Sequence, residues 1–270
     1  MSTAVQEFSR VRLTQDGAVA TLTLNHTEVL NSISSEMLVG INDALDEIED
    51  PARDVRCVLI TGEGRAFCTG ANLQGRGPVP EGSRPKPAGS TLETEFHPVL
   101  RRFRDLHCPM VAAVNGPAAG AGMSFAMMAD LILASKSAYF LQAFRRIGLV
   151  PDCGATWLLP RLVGRARAME LSLLGEKLPA QTALDWGLIN KVLDDEALMP
   201  EAIALARQLS EGPTKALALT RRLYWDSPAH GFEDQLDMEA RLQKQAGASA
   251  DFKEGVSAFL QKRPARFTGA

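Results

Sequence analysis

The sequence lacks the cysteine and histidine spacings that hold metals or build disulfide frameworks. Its four cysteines stand far apart with no C-x-x-C pair, and its four histidines show no H-E-x-x-H or H-x-x-x-H spacing. Structural zinc sites and disulfide-rich domains need such short-range patterns. We therefore expect no metal site, and we expect the chain to work in a reducing, cytoplasmic compartment.

The sequence also has no excess of positive charge, since it contains 29 Lys and Arg residues and 32 Asp and Glu residues. Nucleic-acid-binding proteins are usually more basic, so we expect no nucleic-acid partner. The first ten residues contain no long apolar run, so we expect no secretory signal. Residues 106–129 carry no Asp, Glu, Lys or Arg. Prolines and glycines interrupt them, however, so we expect no membrane span.

A nucleotide-binding fingerprint is absent as well. No G-K-[ST] occurs, and the glycines of residues 116–122 are spaced G-x-x-x-G-x-G rather than G-x-G-x-x-G. The sequence does contain two glycine-rich segments behind predicted strands, at 61–73 and 115–122. Small residues leave backbone N–H groups accessible, and the second segment leads into a helix whose N-terminus favours negative charge. A pair of tight turns is the simpler interpretation of the same residues.

Strand and helix patterns alternate in the first part of the 270 residues. They predict an α/β core over residues 1–195 and a helical module over residues 196–270. An Asp-Gly turn at residues 16–17 predicts an opening β-hairpin. Ser34 is the predicted cap of a helix that ends at Pro51. Apolar strands are predicted at 55–60, 110–114, 131–133 and 138–141, and a long Gly- and Pro-rich loop at 74–90.

One acid, Asp152, stands in the tetrapeptide Pro-Asp-Cys-Gly at residues 151–154. This tetrapeptide is an ordinary β-turn sequence, so a structural role for Asp152 is open at this point. Ser124 lacks the closing glycine of a nucleophile elbow, and a serine hydrolase is therefore not expected.

Three segments in combination resemble the crotonase (enoyl-CoA hydratase/isomerase) superfamily. They are AFCTGANL at 66–73, VNGPAAGAG at 114–122 and IGLVPDCG at 147–154. They resemble the family segments A-F-[CS]-A-G-A-D-[LI], V-N-G-x-A-x-G-G-G and G-[LI]-x-P-D-x-G. The resemblance covers nearly the whole chain. Residues 151–161 and 254–263 are most similar to the ring-epoxide isomerases of phenylacetyl-CoA degradation.

The resemblance implies a crotonase-like spiral of ββα units with a C-terminal helical trimerisation module. It implies a homotrimer or a dimer of trimers that binds an acyl-CoA thioester as its substrate, with no separate cofactor. Two backbone N–H groups of the family form an oxyanion hole, and their positions fall on Ala71 and Ala121. Other residues of the matching segments are expected to contact the substrate or its CoA: Ala66, Gly70, Asn72, Leu73 and Gly120.

The resemblance also shows an informative departure from the hydratases, which place two glutamates in the cleft. Those positions fall on Ser124 and Phe144, and neither side chain can act as a carboxylate base. Both are expected to contact the substrate instead. Asp152 then becomes the expected catalytic acid/base, with Val150, Phe144 and Trp157 as apolar neighbours that raise its basicity.

Family members often carry a basic CoA contact near the first hairpin, but residues 25–31 here contain no Arg or Lys. The resemblance suggests that Phe259 and Lys262 reach the CoA of a neighbouring subunit. A solvated helix face explains Lys262 equally well. The loop at 74–90 is expected either to close over the acyl group or to be a plain surface loop.

The leading hypothesis is an acyl-CoA isomerase in which Asp152 moves a proton from C2 to C4. A 3-enoyl-CoA would become a 2-enoyl-CoA, or the ring epoxide of phenylacetyl-CoA would rearrange. An enoyl-CoA hydratase that uses Asp152 and water is the first alternative. The second is a non-catalytic acyl-CoA-binding scaffold, and a nucleophilic role for Asp152, as in aryl-CoA dehalogenases, stays open.

Overall fold

Two β-sheets organise the core of the protein. The computed structural model describes residues 4–73, 87 and 89–270. The strands of this part of the chain are β1 Ala4–Phe8, β2 Val11–Asp16, β3 Val19–Leu24, β4 Cys57–Gly62, β5 Met110–Val114, β6 Ala118–Ala119, β7 Leu131–Ser135, β8 Tyr139–Leu141, β9 Lys177–Pro179 and β10 Lys191–Leu193.

The larger sheet has seven strands in the order β1-β2-β3-β4-β5-β7-β10. Its first three strands are antiparallel, and every pairing from β3 to β10 is parallel. The smaller sheet has the order β6-β8-β9. Because β4 and β5 are parallel neighbours, the loops that follow them emerge at the same edge of the sheet. That edge carries both glycine-rich segments.

Helices cover the sheets and form the C-terminal part of the chain. The α-helices are α1 Ser35–Glu49, α2 His97–Asp105, α3 Ala121–Met127, α4 Ala155–Leu174, α5 Ala180–Asp185, α6 Asp195–Ser210, α7 Thr214–Asp226, α8 Phe232–Gly247 and α9 Ala250–Leu260. The predicted α/β architecture and the helical C-terminal region are confirmed.

The predicted opening hairpin and the predicted cap of the first helix are both present. Asp16 pairs with Val19 in the β2–β3 hairpin. Ser34 caps α1 through its side chain, which accepts a hydrogen bond from the Met37 N–H at 3.2 Å. Residues 106–129 fold as β5, β6 and α3, not as one continuous helix. No helix in the described part of the chain combines the length and apolar character that crossing a membrane requires.

The larger sheet buries both of its faces. Helices α1 to α4 cover one main apolar cluster, and α6 covers a second on the opposite face. Leu198, Ala202 and Ala206 of α6 pack on strand residues that include Leu59 and Val111. The predicted boundary at residue 195 between an α/β core and a helical module stays a prediction. Helix α6 begins at this boundary and packs on the sheet of the core.

A buried arginine ties the C-terminal helices to this core. Arg221 of α7 is 7% exposed and donates through Nε to Asp130 Oδ2 at 2.6 Å. It also donates to the main-chain carbonyls of Leu106 at 2.8 Å and Phe103 at 3.1 Å. Asp130 in turn accepts a hydrogen bond from the Met110 N–H at 2.7 Å. One guanidinium therefore joins α7, the end of α2 and the start of β5.

We expect Arg221→Met to lower the free energy of unfolding by about 3 kcal/mol, because it leaves polar partners without their donor. Urea unfolding measures the change. The matched control is Arg222→Met, since the neighbouring Arg222 is exposed and lies 3.6 Å from Asp226. That variant should lose less than about 1 kcal/mol. Equal losses in the two variants would contradict the role assigned to Arg221.

Candidate active site

The two glycine-rich segments run side by side. The Cys68 N–H donates to the Pro117 carbonyl at 3.1 Å, and the Ala119 N–H donates to the Cys68 carbonyl at 2.9 Å. These bonds form a parallel bridge between Cys68 and Ala118. Continued in the same register, this pairing brings Ala71 level with Ala121. The structure thus brings together the two alanines predicted from separate segments.

Glycine makes the close approach of these segments possible. Gly70 has φ +97°, and a Cβ at this position would lie 2.9 Å from the Ala119 carbonyl oxygen and 3.6 Å from the Ala121 nitrogen. Gly120 opposite has φ +52° and ψ −126°. A side chain at position 70 would push the segments apart, and an L-residue at either position would be strained.

Among the described residues, the backbone N–H groups of Ala71 and Ala121 have no acceptor in the hydrogen bonds that surround them. The Ile33 N–H donates to Gly70, and the Asn72 N–H donates to Ile33, so the Ala71 N–H points away from that pairing. Ala121 is the first residue of α3, and N–H groups in a first helical turn have no intrahelical acceptor. The two donors lie close together, since a Cβ on Gly70, which precedes Ala71, would lie 3.6 Å from the Ala121 nitrogen.

These donors lie at a cavity of about 260 Å³. Seven of the predicted residues line it: Gly70, Ala71, Leu73, Gly120, Ala121, Phe144 and Asp152. Within the described lining, Asp152 and Arg146 are the only charged side chains. The remaining walls are mainly apolar. A thioester group in this cavity could thus meet two N–H donors and, within the described lining, one carboxylate.

Asp152 is positioned by its own turn and by α3. Its main-chain carbonyl accepts the Ala155 N–H at 3.0 Å and the Ser124 hydroxyl at 3.3 Å. Its Oδ1 atom is buried. Ser124 itself is fully buried and does not line the cavity. Its hydroxyl connects α3 to the Asp152 turn, and its expected substrate contact stays a prediction.

Two other predicted contacts lie outside the cavity lining. Ala66 is 1% exposed, and its carbonyl accepts a hydrogen bond from Asn31 Nδ2 at 2.8 Å. Asn72 follows the lining residue Ala71, and its N–H donates to the Ile33 carbonyl at 2.8 Å. Both take part in holding the segment of residues 66–72 in place, and their expected contact with the substrate or its CoA stays a prediction.

The apolar wall around Asp152 differs in part from the expected one. Phe144 lines the cavity, as predicted. Val150 is 79% exposed, however, and Trp157 lines a different cavity on the far side of the turn. Ile147 and Leu149 line the cavity in their place. Sequence neighbours of Asp152 therefore face different ways.

Arg146 is a site residue that the sequence prediction missed. It lines the cavity, and its Nε and Nη2 donate to the Gly175 carbonyl at 3.1 and 2.7 Å. Arg145 beside it donates to the Leu174 carbonyl at 2.9 Å but does not line the cavity. No sequence motif separates the two arginines, because only the 3₁₀ turn at Ala143–Ile147 directs one of them inward.

The remaining predicted contacts are near the C-terminus and in the loop at 74–90. Phe259 and Lys262 lie at the end of the chain, outside the cavity lining, and Phe259 is 82% exposed. Of the loop at 74–90, residues 74–86 and 88 lie outside the described residues, and Gly89 lines the cavity. The described residues include no group of His, Cys, Asp and Glu that could hold a metal ion.

Comparison with known proteins agrees with this architecture. The sequence profile of the enoyl-CoA hydratase/isomerase family matches residues 14–270. The chain is 47% identical to the 1,2-epoxyphenylacetyl-CoA isomerase of Escherichia coli K12 over 93% of this chain and 95% of that protein. It is 41% identical to a Rhodobacter capsulatus protein named "probable enoyl-CoA hydratase", over 97% and 99% of the two chains.

Solved structures extend the comparison to three dimensions. An enoyl-CoA hydratase from Polaromonas sp. JS666 superposes with a TM-score of 0.87 at 33% identity, covering 96% of this chain and 99% of that one. The resemblance predicted from three motifs is therefore confirmed over the length of the chain, together with the crotonase fold. The protein is an enzyme of the enoyl-CoA hydratase/isomerase family, within the crotonase superfamily.

Proposed function

We propose that the protein is an acyl-CoA isomerase that uses Asp152 as its one acid/base. The observation that carries this proposal is the 260 Å³ cavity that Asp152 lines together with Ala71 and Ala121, with no second carboxylate in the described lining. Water addition by the usual hydratase route needs two acids, whereas a proton shuttle needs one.

In the proposed reaction the thioester oxygen accepts hydrogen bonds from the Ala71 and Ala121 N–H groups. The Asp152 carboxylate removes a proton from C2, and the electron pair of the C–H bond moves into an enolate. The protonated acid then returns the same proton to C4, which shifts the double bond from position 3,4 to position 2,3. Two preorganised N–H donors stabilise the enolate more than the ground-state carbonyl, because negative charge develops on that oxygen.

The acyl group is proposed from the relatives. A ring epoxide of phenylacetyl-CoA is the substrate named for the Escherichia coli relative. The mainly apolar walls provided by Leu92, Phe96 and Phe144 suit an aromatic or alkenyl group next to the thioester. Straight-chain 3-enoyl-CoA isomerisation is expected as a related activity, because both reactions begin with loss of the C2 proton.

We expect Asp152→Asn to slow isomerisation of 3-hexenoyl-CoA by about 10³-fold, because the amide cannot accept the C2 proton. Isomerisation raises the absorbance of the conjugated enoyl thioester. Calorimetry with hexanoyl-CoA, which cannot isomerise, should show that binding is retained.

Crotonyl-CoA separates the alternatives, since hydration removes the conjugated absorbance. Rapid hydration that survives Asp152→Asn would overturn the assignment of the acid. A wild-type protein that binds hexanoyl-CoA but turns over none of these substrates, the ring epoxide included, would favour a non-catalytic scaffold.

Arg146 is proposed to attract the anionic CoA ester to the cavity. We expect Arg146→Ala to raise KM about tenfold with little change in kcat, because a charge near the mouth favours bound substrate and transition state alike. Arg145→Ala is the matched control, since Arg145 caps the same helix end outside the cavity. Steady-state kinetics at low and high salt measure the effect. Equal KM values for both variants would contradict this role.

We propose that the C-terminal helices mediate assembly into a homotrimer or a dimer of trimers. The support is an apolar surface on α8 and α9, where Phe232, Phe252, Val256, Phe259 and Leu260 are exposed. Monomers rarely leave such a surface open to water. We expect sedimentation equilibrium to give three or six times the mass of one chain. A monomer at micromolar concentration would contradict the assembly and the proposed CoA contacts of Phe259 and Lys262.

A further inference from the structure

A polar side chain is buried close to the wall of the proposed reaction cavity. Gln142 follows strand β8 directly and is 1% exposed. The next two residues along the chain, Ala143 and Phe144, line the cavity, whereas Gln142 is not part of its described lining. The amide of Gln142 therefore lies near the cavity without forming part of the surface that a substrate would touch.

The hydrogen bonding of this amide is incomplete. Within the described residues its side chain makes one hydrogen bond, in which Gln142 Nε2 donates to Met123 Sδ at 3.2 Å. The Oε1 atom of the same amide is buried and accepts no hydrogen bond from the described residues. A thioether is a weak acceptor, and a buried amide oxygen without a donor is unfavourable. Leucine or methionine would fill the position at lower cost, so stability alone does not explain a glutamine here.

The acceptor of this bond belongs to the segment that carries a proposed oxyanion donor. Met123 lies in the first turn of α3, two residues after Ala121. On the other side of Ala121, the Gly120 N–H donates to the Leu141 carbonyl at 2.8 Å. Consecutive residues at the end of β8, Leu141 and Gln142, thus hold the chain both before and after Ala121. These two bonds restrict the rotation of the first turn of α3, and with it the direction of the Ala121 N–H.

We propose that Gln142 is a positioning residue for the oxyanion hole, and that its bond to Met123 sets the direction of the Ala121 N–H. The inference rests on the proposed function, in which this N–H binds the thioester oxygen. A preorganised donor stabilises an enolate only when it points to the place where the charge develops. Met123 is fully buried, as is the Gln142 amide, so the bond is in place before a substrate enters.

Two variants break the bond from opposite sides. Gln142→Met removes the amide, Met123→Leu removes the sulfur acceptor, and both keep a side chain of similar size. We expect kcat for 3-hexenoyl-CoA to fall about tenfold in each, with little change in KM. A misdirected donor loses part of the about 10²- to 10³-fold that a whole oxyanion donor contributes. The double variant should be no slower than the single variants, since all three lack the same bond.

Stability and a matched methionine separate positioning from general packing. Met127 is also buried in α3, with 3% exposure, and lies outside the described lining of the reaction cavity, so Met127→Leu should keep the wild-type kcat. Gln142→Met should unfold at the same or a higher urea concentration than the wild type, because it removes a buried oxygen that has no donor. Loss of structure cannot explain a variant that is as stable as the wild type and slower.

A measurement without turnover separates this inference from the proposed reaction. Hexanoyl-CoA cannot isomerise, and the carbon-13 signal of its thioester carbonyl should move downfield on binding to the wild type, because hydrogen bonds draw electron density from that carbon. At saturation the movement should be smaller in Gln142→Met and in Met123→Leu. If it is smaller in a protein that isomerises no acyl-CoA, the positioning role stands and the proposed function fails.

Three results would overturn the positioning role. The first is a carbonyl signal that moves equally in the wild type and both variants, or does not move in the wild type at all. The second is a wild-type kcat in both Gln142→Met and Met123→Leu. The third is a Met127→Leu variant that is slowed as much as Met123→Leu, because the effect would then belong to methionine packing in α3.

Discussion

The close pairing of two glycine-rich segments is the constraint on which the site depends. Cys68 and Ala118 form the bridge between them, and Gly70 lies against Ala119 and Ala121 without a side chain between. A Cβ on Gly122 would come within 2.2 Å of the Cys68 carbonyl oxygen, so the start of α3 is pressed against the same segment. The parallel neighbours β4 and β5 supply this geometry, because they deliver both loops to one edge of the sheet.

Charge in the cavity is rearranged rather than created in the proposed reaction. Asp152 begins as the anion, and when it takes the C2 proton the negative charge moves to the thioester oxygen. The N–H groups of Ala71 and Ala121 meet that charge at its new location. Arg146 is the one cation among the described lining residues, so in the proposed reaction it lies beside a mobile negative charge. In the proposed reaction a second carboxylate would oppose the enolate by charge repulsion, whereas Ser124 and Phe144 carry no charge.

Sequence patterns predicted elements whose signals are local. The Asp-Gly hairpin and the Ser34 cap depend on residues a few positions apart, and both formed as predicted. The longest helix, α4, was not predicted. Pro160 lies inside it, Gly164 interrupts it at φ +79°, and apolar residues such as Leu162 and Leu173 are exposed along it. These features blur the helical periodicity, since the pattern no longer separates a buried face from a solvent face.

The sequence by itself determined the family, the two glycine-rich segments that follow strands, and Asp152 as the candidate acid. Each of these depends on residue types in short segments. Only the tertiary structure decided which residues share the cavity. It placed Arg146 in the cavity lining and Arg145 outside it, and it buried Ser124 and Ala66 away from that lining. The physical reason is that side-chain direction depends on backbone angles and packing between elements distant in the chain, which a residue pattern does not encode.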